Sequence, residues 1–188
     1  RFGLGAAGIG NLYNEVSEAD AIEALRAAHE AGLDLIDTSP FYGHGLSEQR
    51  IGKFLGETNW RPVLSTKVGR VLDPAGAGPV PDNGFASPAP FIPRFDYSAA
   101  GIRRAFEGSQ ARLGVETVDT LLLHDIGQLT HGDAHEGILL QALGEALPEM
   151  AAMKAEGLTG RIGLGVNEIE VCKEVIDQFE LDILLIAG

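Results

Sequence analysis

The sequence predicts an α/β protein built on a parallel sheet. Three observations lead there. Apolar runs of strand length alternate with longer amphipathic segments five times before a last apolar run. Alternation of this kind implies parallel strands joined by right-handed helical crossovers. The run Val118–His124 is apolar at nearly every position, as suits a strand covered on both faces. Four of the runs end on a polar group: Asp37 after Leu35-Ile, Lys67 after Val63-Leu-Ser-Thr, His124 after Leu121-Leu-Leu, and Asn167 after Ile162-Gly-Leu-Gly-Val. The C-terminal ends of parallel strands are where such proteins keep their active sites.

Taken in order, residues 2–7 form a short strand whose small residues Gly5, Ala6 and Ala7 let another group approach the backbone. Residues 8–16 form a loop. Ser17 caps the first helix, with Asp20 as its capping-box partner. Ala21, Ile22, Leu25 and Ala28 give that helix an apolar stripe, and Gly32 stops it in the left-handed conformation. Residues 33–37 make the second strand. Ser47 opens a second helix that buries Ile51, Phe54 and Leu55 and ends at Gly56, and residues 63–67 follow as the third strand. Residues 68–96 are dense in Gly and Pro and lack a period, so a long loop is expected to leave the third strand. Phe85, Phe91, Ile92 and Phe95 would anchor it as a lid.

A helix over residues 98–113 turns Ile102, Ala105, Phe106 and Leu113 inward and stops at Gly114. After the strand Val118–His124, residues 127–137 read as a polar loop. Residues 138–156 read as a long helix that Pro148 should kink or split. Residues 161–166, 168–179 and 181–186 complete the chain as strand, helix and strand. Residues 1–188 read as a single domain.

A chain of 188 residues can enclose a sizeable core. Its net charge of −13 opposes a nucleic-acid or anionic-membrane partner but allows a phosphorylated small molecule, which a local basic or amide-lined pocket can bind. The single Cys172 cannot form an intrachain disulfide. No apolar run approaches the roughly 20 residues of a membrane span. No signal peptide is visible, although the chain opens at Arg1 without a Met, and a cytoplasmic protein is expected. His131 and His135 share a His-x3-His spacing that can bind zinc on a helix, with Asp133 and Glu136 nearby. Gly132 and Gly137 favour a solvated loop there, and no metal site is expected. His44 reads as a turn residue, and Cys172, Met150 and Met153 as packing.

Asp37, Tyr42, Lys67 and His124 together make a proton-transfer device. A free tyrosine has a pKa of about 10 and is a poor acid or base near neutrality. A neighbouring ammonium favours the phenolate, and Lys67 can supply it. Asp37 can pair with Lys67 and hold it in place, while His124 can donate to a substrate oxygen. None of these side chains carries hydride, so a nicotinamide must. Asn167 offers an amide that could hold a carboxamide. Two architectures fit the order of elements. An open doubly wound sheet would use the whole chain, whereas a (β/α)8 barrel needs eight units and roughly 250 residues.

At these residues the sequence resembles the aldo-keto reductases. Asp37-Thr-Ser-Pro-Phe-Tyr42-Gly is similar to that family's strand-two motif, with its Asp-x4-Tyr spacing. Ser65-Thr-Lys67 is similar to its lysine motif, and Leu121-Leu-Leu-His124 to its histidine motif. Gly163-Leu-Gly-Val-Asn167 resembles the segment whose Asn, usually preceded by Ser, binds the nicotinamide amide; Val166 departs from that Ser. The resemblance implies a (β/α)8 barrel present through about strand six, with Asp37, Tyr42, Lys67 and His124 catalytic. It also implies NAD or NADP held by Gly5, Ala6, Ala7, Asp37 and Asn167. The family's remaining two β/α units carry most contacts to the pyrophosphate and adenosine, so the chain is expected to be a portion of a longer protein.

Within the family, Gly8-Ile-Gly-Asn-Leu-Tyr13, Gly43-His-Gly-Leu-Ser-Glu48, Ser65-Thr-Lys-Val-Gly-Arg70 and Leu184-Leu-Ile-Ala-Gly188 look like the bacterial aldose 1-dehydrogenases. These include L-fucose (D-threo-aldose) dehydrogenases and the related pyridoxal 4-dehydrogenase. That likeness implies oxidation of a cyclic hemiacetal to a lactone, on a sugar, aldehyde or pyridoxal-like substrate. Two other readings stand beside it: a Schiff-base aldolase using Lys67 with Tyr42 as proton shuttle, and a non-catalytic cofactor-sensing regulatory subunit.

Overall fold

A computed structural model describes residues 2–81 and 83–187. Gly188, the last residue of the 184–188 motif, lies outside them. In chain order the elements are β1 (Leu4–Gly5), α1 (Glu18–Glu30), β2 (Leu35–Asp37), α2 (Leu46–Glu57), β3 (Val63–Val68), β4 (Arg70–Pro74), β5 (Phe91–Phe95) and α3 (Ala99–Leu113). They continue with β6 (Val118–His124), α4 (Gln128–His131), α5 (His135–Gln141), α6 (Leu147–Ala155), β7 (Thr159–Val166), α7 (Ile169–Ile176) and β8 (Ile183–Ile186).

The main sheet has six strands in the order β1-β2-β3-β6-β7-β8, each parallel to its neighbour. Every crossover therefore steps to the next position in one direction. A doubly wound sheet reverses direction at its switch point, whereas a barrel wall never does. The sheet is the first six strands of a (β/α)8 barrel wall.

Alternation along the strands decides which side chains meet. Ile36, Leu64, Leu121, Leu123, Ile162 and Leu164 turn to the helical face and pack with Leu25, Ile51, Phe54, Ile102, Phe106, Met150 and Val175. The residues between them face the concave side: Leu35 and Asp37, Val63, Ser65 and Lys67, then Thr120, Leu122 and His124. The two-residue period thus aims Asp37, Lys67 and His124 at one space.

The caps follow the sequence at three places. The Ser17 side chain accepts from the Asp20 amide at 3.1 Å, Gly32 has φ 72°, and Gly114 ends α3 with φ 68°. Pro148 also acts as expected: a π-helical turn at Ala142–Ala146 separates α5 from α6 just ahead of it. The ring cannot fit against the carbonyl one turn back, and widening that turn relieves the clash.

Four expectations are corrected. The first strand covers only Leu4–Gly5, because the chain turns into a 3₁₀ segment at Gly8–Gly10. Ser47 does not cap α2. Gly45, with φ 97°, holds that position, and Ser47 is buried, donating to the Ala6 carbonyl at 2.8 Å. The polar stretch 127–137 is not a loop but is largely helical, as α4, a 3₁₀ turn at Gly132–Ala134 and the start of α5. The stretch 68–96 contains an antiparallel hairpin, with Arg70 opposite Phe95 and Leu72 opposite Pro93. Pro is tolerated there because each strand of a two-stranded ribbon has an open edge. Phe85 is buried as an anchor, whereas Ile92 and Phe95 remain exposed. No helix among the described residues is long and apolar enough to cross a membrane.

Candidate active site

The site is assembled from strand ends. Gly5 pairs with Asp37, Asp37 with Ser65, and Lys67 with Leu122, so neighbouring ends stand level. Tyr42 is placed by the turn after β2, which packs backbone to backbone on the first loop. A Cβ at Gly43 would lie 2.3 Å from the Gly10 carbonyl oxygen, and one at Gly10 would lie 2.8 Å from the Tyr42 carbonyl carbon. Glycine at both positions permits that approach.

Lys67 is the hub. Its Nζ donates to Asp37 Oδ2 at 2.5 Å, to the Thr38 carbonyl at 2.8 Å and to the Tyr42 oxygen at 3.0 Å. Its stem lies along β7, where a Cβ at Gly165 would come within 3.1 Å of Lys67 Cε. Asp37 is steadied from its other oxygen by Ser65 Oγ at 2.9 Å. With all three ammonium hydrogens donated, the Tyr42 oxygen accepts from Lys67 and its own proton is left for a ligand.

His124 is buried, and its ring stands edge-on to Tyr42 with centroids 6.2 Å apart. Burial, then the charges of Arg70 and Lys67, hold its pKa well below the ordinary histidine value, so the ring is neutral at pH 7. Its tautomer follows from its neighbours. Ser39 Oγ already accepts from the Phe41 amide at 3.1 Å, which leaves the hydroxyl proton for His124 Nδ1 at 3.2 Å. Asp125 Oδ2 lies 3.3 Å from Nε2, where a second lone pair would be repelled and a proton is favoured. Nε2–H is therefore the donor.

Asp37, Tyr42, Lys67 and His124 line one cleft of about 230 Å³ together with Asp125, Gly165, Val166, Asn167, Leu185, Ile186 and Ala187. Asn167 Nδ2 donates to Asp125 Oδ1 at 2.9 Å, which leaves Oδ1 of the amide as its acceptor. Gly5, Ala6 and Ala7 stand at the end of the neighbouring strand and are not among the cleft's lining residues. Ala6 is buried, its amide donating to the Asp37 carbonyl at 2.8 Å, while Gly5 is exposed.

Sequence reasoning missed Asp125 and Arg70. Asp125 takes a left-handed backbone with φ 49°, a strained state for a side chain other than glycine. Its Oδ2 accepts from Arg70 Nη2 at 2.9 Å. The Arg70 guanidinium sits between the rings of Phe41 and Phe95, at 4.3 and 4.5 Å from their centroids. The available signal was a second ionisable residue directly after His124. The His-x3-His pair does not converge on one point. His131 Nε2 faces the Tyr97 hydroxyl and the Asp125 carbonyl, whereas His135 faces the Ile126 carbonyl and Glu174. His44 is buried in the turn, with Nδ1 against the Phe91 carbonyl at 2.9 Å.

The profile of the Aldo/keto reductase family matches residues 1–187. The chain belongs to that family. It is 40% identical to pyridoxal 4-dehydrogenase of Microbacterium luteolum, over 99% of this chain and 57% of that protein. It is 38% identical to D-threo-aldose 1-dehydrogenase of a Pseudomonas species, over 99% of this chain and 56% of that protein. Among solved structures, the holo form of an aldo-keto reductase from Bacillus halodurans superposes with TM-score 0.74 at 23% identity, covering all of this chain and 53% of its own. A Klebsiella pneumoniae aldo-keto reductase in complex with NADPH superposes with TM-score 0.64 at 25% identity, covering 94% of this chain and 49% of its own. The aldo/keto reductase chain described here thus spans about half the length of the relatives it matches.

Proposed function

We propose that this protein is an NAD(P)-dependent oxidoreductase that interconverts a sugar-like hemiacetal or alcohol with its lactone or carbonyl. It is of the aldose 1-dehydrogenase or pyridoxal 4-dehydrogenase type. The observation that carries the reading is the Lys67 ammonium bridging the Asp37 carboxylate and the Tyr42 oxygen, at 2.5 and 3.0 Å, beside a neutral His124 in the same cleft.

In the oxidising direction Tyr42 acts as the phenolate and takes the proton of the reacting hydroxyl, and in reverse the phenol returns it. Lys67 donates to the Tyr42 oxygen and so stabilises the negative charge that appears there when the proton leaves. Nε2–H of His124 donates to the substrate oxygen and fixes its direction. The residues present suit a nicotinamide. The Asn167 carbonyl oxygen can accept from its carboxamide, and Val166, Leu185, Ile186 and Ala187 give the ring an apolar wall. Asp37 and the β1 end at Gly5, Ala6 and Ala7 complete the proposed cofactor contacts. Bound there, the cofactor supplies or accepts the hydride that no side chain can carry. A Schiff-base aldolase is not favoured, because an ammonium donating to three oxygens has no lone pair with which to attack a carbonyl. The reading includes a cytoplasmic setting, supported by the lone Cys172.

Tyr42→Phe tests the assignment. Turnover should fall by at least about 100-fold while the affinity for reduced nicotinamide, read by its fluorescence, barely changes. An unaltered maximal rate would remove Tyr42 from the mechanism.

A further inference from the structure

We propose that Asp125 selects substrates carrying a hydroxyl on the carbon next to the reacting one; this rests on the aldose 1-dehydrogenase form of the oxidoreductase reading above. Asp125 lines the same cleft as Tyr42 and His124, and its Oδ2 lies 3.3 Å from His124 Nε2. The cleft therefore presents a donor and an acceptor side by side. Oxygens on neighbouring carbons of a polyol are spaced about a hydrogen-bond length apart. The pair is complementary to a reacting oxygen that accepts from Nε2–H and a neighbouring hydroxyl that donates to the carboxylate.

Three features hold the carboxylate in that role. Arg70 Nη2 donates to Oδ2 and Asn167 Nδ2 to Oδ1, both at 2.9 Å, so the group is fixed at both oxygens. A carboxylate offers about four acceptor directions, so these two bonds leave capacity for a ligand. The left-handed backbone at Asp125, φ 49°, bends the chain directly after His124 at the end of β6. A ligand without the neighbouring hydroxyl would cover this carboxylate and return no hydrogen bond, which is the condition under which a polar site discriminates strongly. Arg70 supports the carboxylate from behind. Its guanidinium lies between two rings, and its Nη1 is buried with no hydrogen-bond partner among the described residues.

The experiment compares D-arabinose with 2-deoxy-D-ribose, which lacks only the hydroxyl next to the anomeric carbon. Turnover is followed at the reduced-nicotinamide band with NAD and with NADP. For the unmodified protein, kcat/KM should favour D-arabinose by about 10- to 100-fold. Asp125→Asn should lower kcat/KM on both sugars, with a loss on D-arabinose about tenfold or more the larger, so that the ratio collapses toward one. A purely structural role for Asp125 predicts equal losses on both sugars, and that result overturns the proposal. Equal or better turnover of 2-deoxy-D-ribose, or of a plain alcohol such as butan-1-ol, by the unmodified protein also overturns it, and it does so even if the variant fails to fold. Either outcome leaves the oxidoreductase reading standing. No nicotinamide turnover on any of the three compounds overturns the proposal, and it sinks the oxidoreductase reading as well if pyridoxal is also left unturned.

Discussion

Lys67 reaches the Tyr42 oxygen at 3.0 Å while its other two hydrogens are held by Asp37 and the Thr38 carbonyl, so the ammonium has one orientation in which all its donors are used. Removing it takes away the charge that stabilises a tyrosinate. Under the proposed function, Lys67→Ala should lower kcat by about 100-fold or more. Added methylammonium should restore part of the loss by occupying the vacated space between Asp37 and Tyr42. Steady-state rates with and without the amine check this. Full activity of the variant without amine would separate Lys67 from the chemistry.

His124 gives a pH dependence with a definite sign. Its pKa is depressed in the folded protein, first by burial and then by Arg70 and Lys67. The unfolded chain takes up a proton on this ring near pH 6.5, whereas the folded protein does so only well below that value. Stability is therefore full above about pH 6.5 and is lost as the pH falls from there toward the folded value, with a slope of up to about 1.4 kcal/mol per pH unit. His44 and His131 shift in the same direction, burial being the first cause at each. Urea midpoints measured between about pH 7.5 and 5.5 should fall with acidity, and His124→Gln should flatten the decline. An equal slope in the variant would mean that the ring is protonated in the folded state.

These relationships differ in how far the sequence could reveal them. Asp37, Lys67 and His124 were readable because the two-residue strand period and the strand ends together fix both face and height. Asn167 followed from the same rule, and Tyr42 from its five-residue separation from Asp37. The Arg70–Asp125 pair was not readable, since it depends on a left-handed turn at Asp125 and on a hairpin that carries Arg70 back over Phe41. That hairpin was hidden by Pro74 and Pro93, which oppose a strand assignment except at an open edge. The helical stretch after β6 was hidden in the same way by Gly132 and Gly137, whose local preference is overridden by tertiary hydrogen bonds of the segment, His131 with the Tyr97 hydroxyl and the Asp125 carbonyl, and His135 with the Ile126 carbonyl and Glu174.

Glu48 holds the scaffold beneath the site. It is wholly buried, accepting from Thr66 Oγ1 at 2.6 Å and from Arg112 Nε at 2.7 Å, and so ties α2 to β3 and α3. Glu48→Ala leaves the Arg112 guanidinium without its partner in a largely buried place. It should cost about 3–5 kcal/mol of stability. Glu48→Gln keeps the shape and can still accept a hydrogen bond, so its cost should be smaller, about 1–3 kcal/mol. Chemical denaturation of the two variants checks both the size and the order, and a Gln variant as damaged as the Ala variant would contradict the ion-pair account.

Two glycines on α2 should respond to the same substitution with opposite signs. Gly52 faces α3, where an added Cβ would lie 2.2 Å from the Arg112 carbonyl oxygen and 2.9 Å from Leu113 Cα. Those are backbone atoms of a packed helix and cannot swing aside, so Gly52→Ala must push the two helices apart, at about 1–3 kcal/mol. Gly56 is exposed near the end of the same helix, and a Cβ there would meet nothing within 4 Å. Gly56→Ala should stabilise by about 0.5–1 kcal/mol, because alanine loses less backbone freedom on entering a helix. The pair isolates close packing from helix propensity, since the residue exchange and the helix are the same in both. A denaturation midpoint that stays level or rises for Gly52→Ala would show that α2 and α3 do not meet through Gly52, and one that falls for Gly56→Ala would contradict the propensity argument.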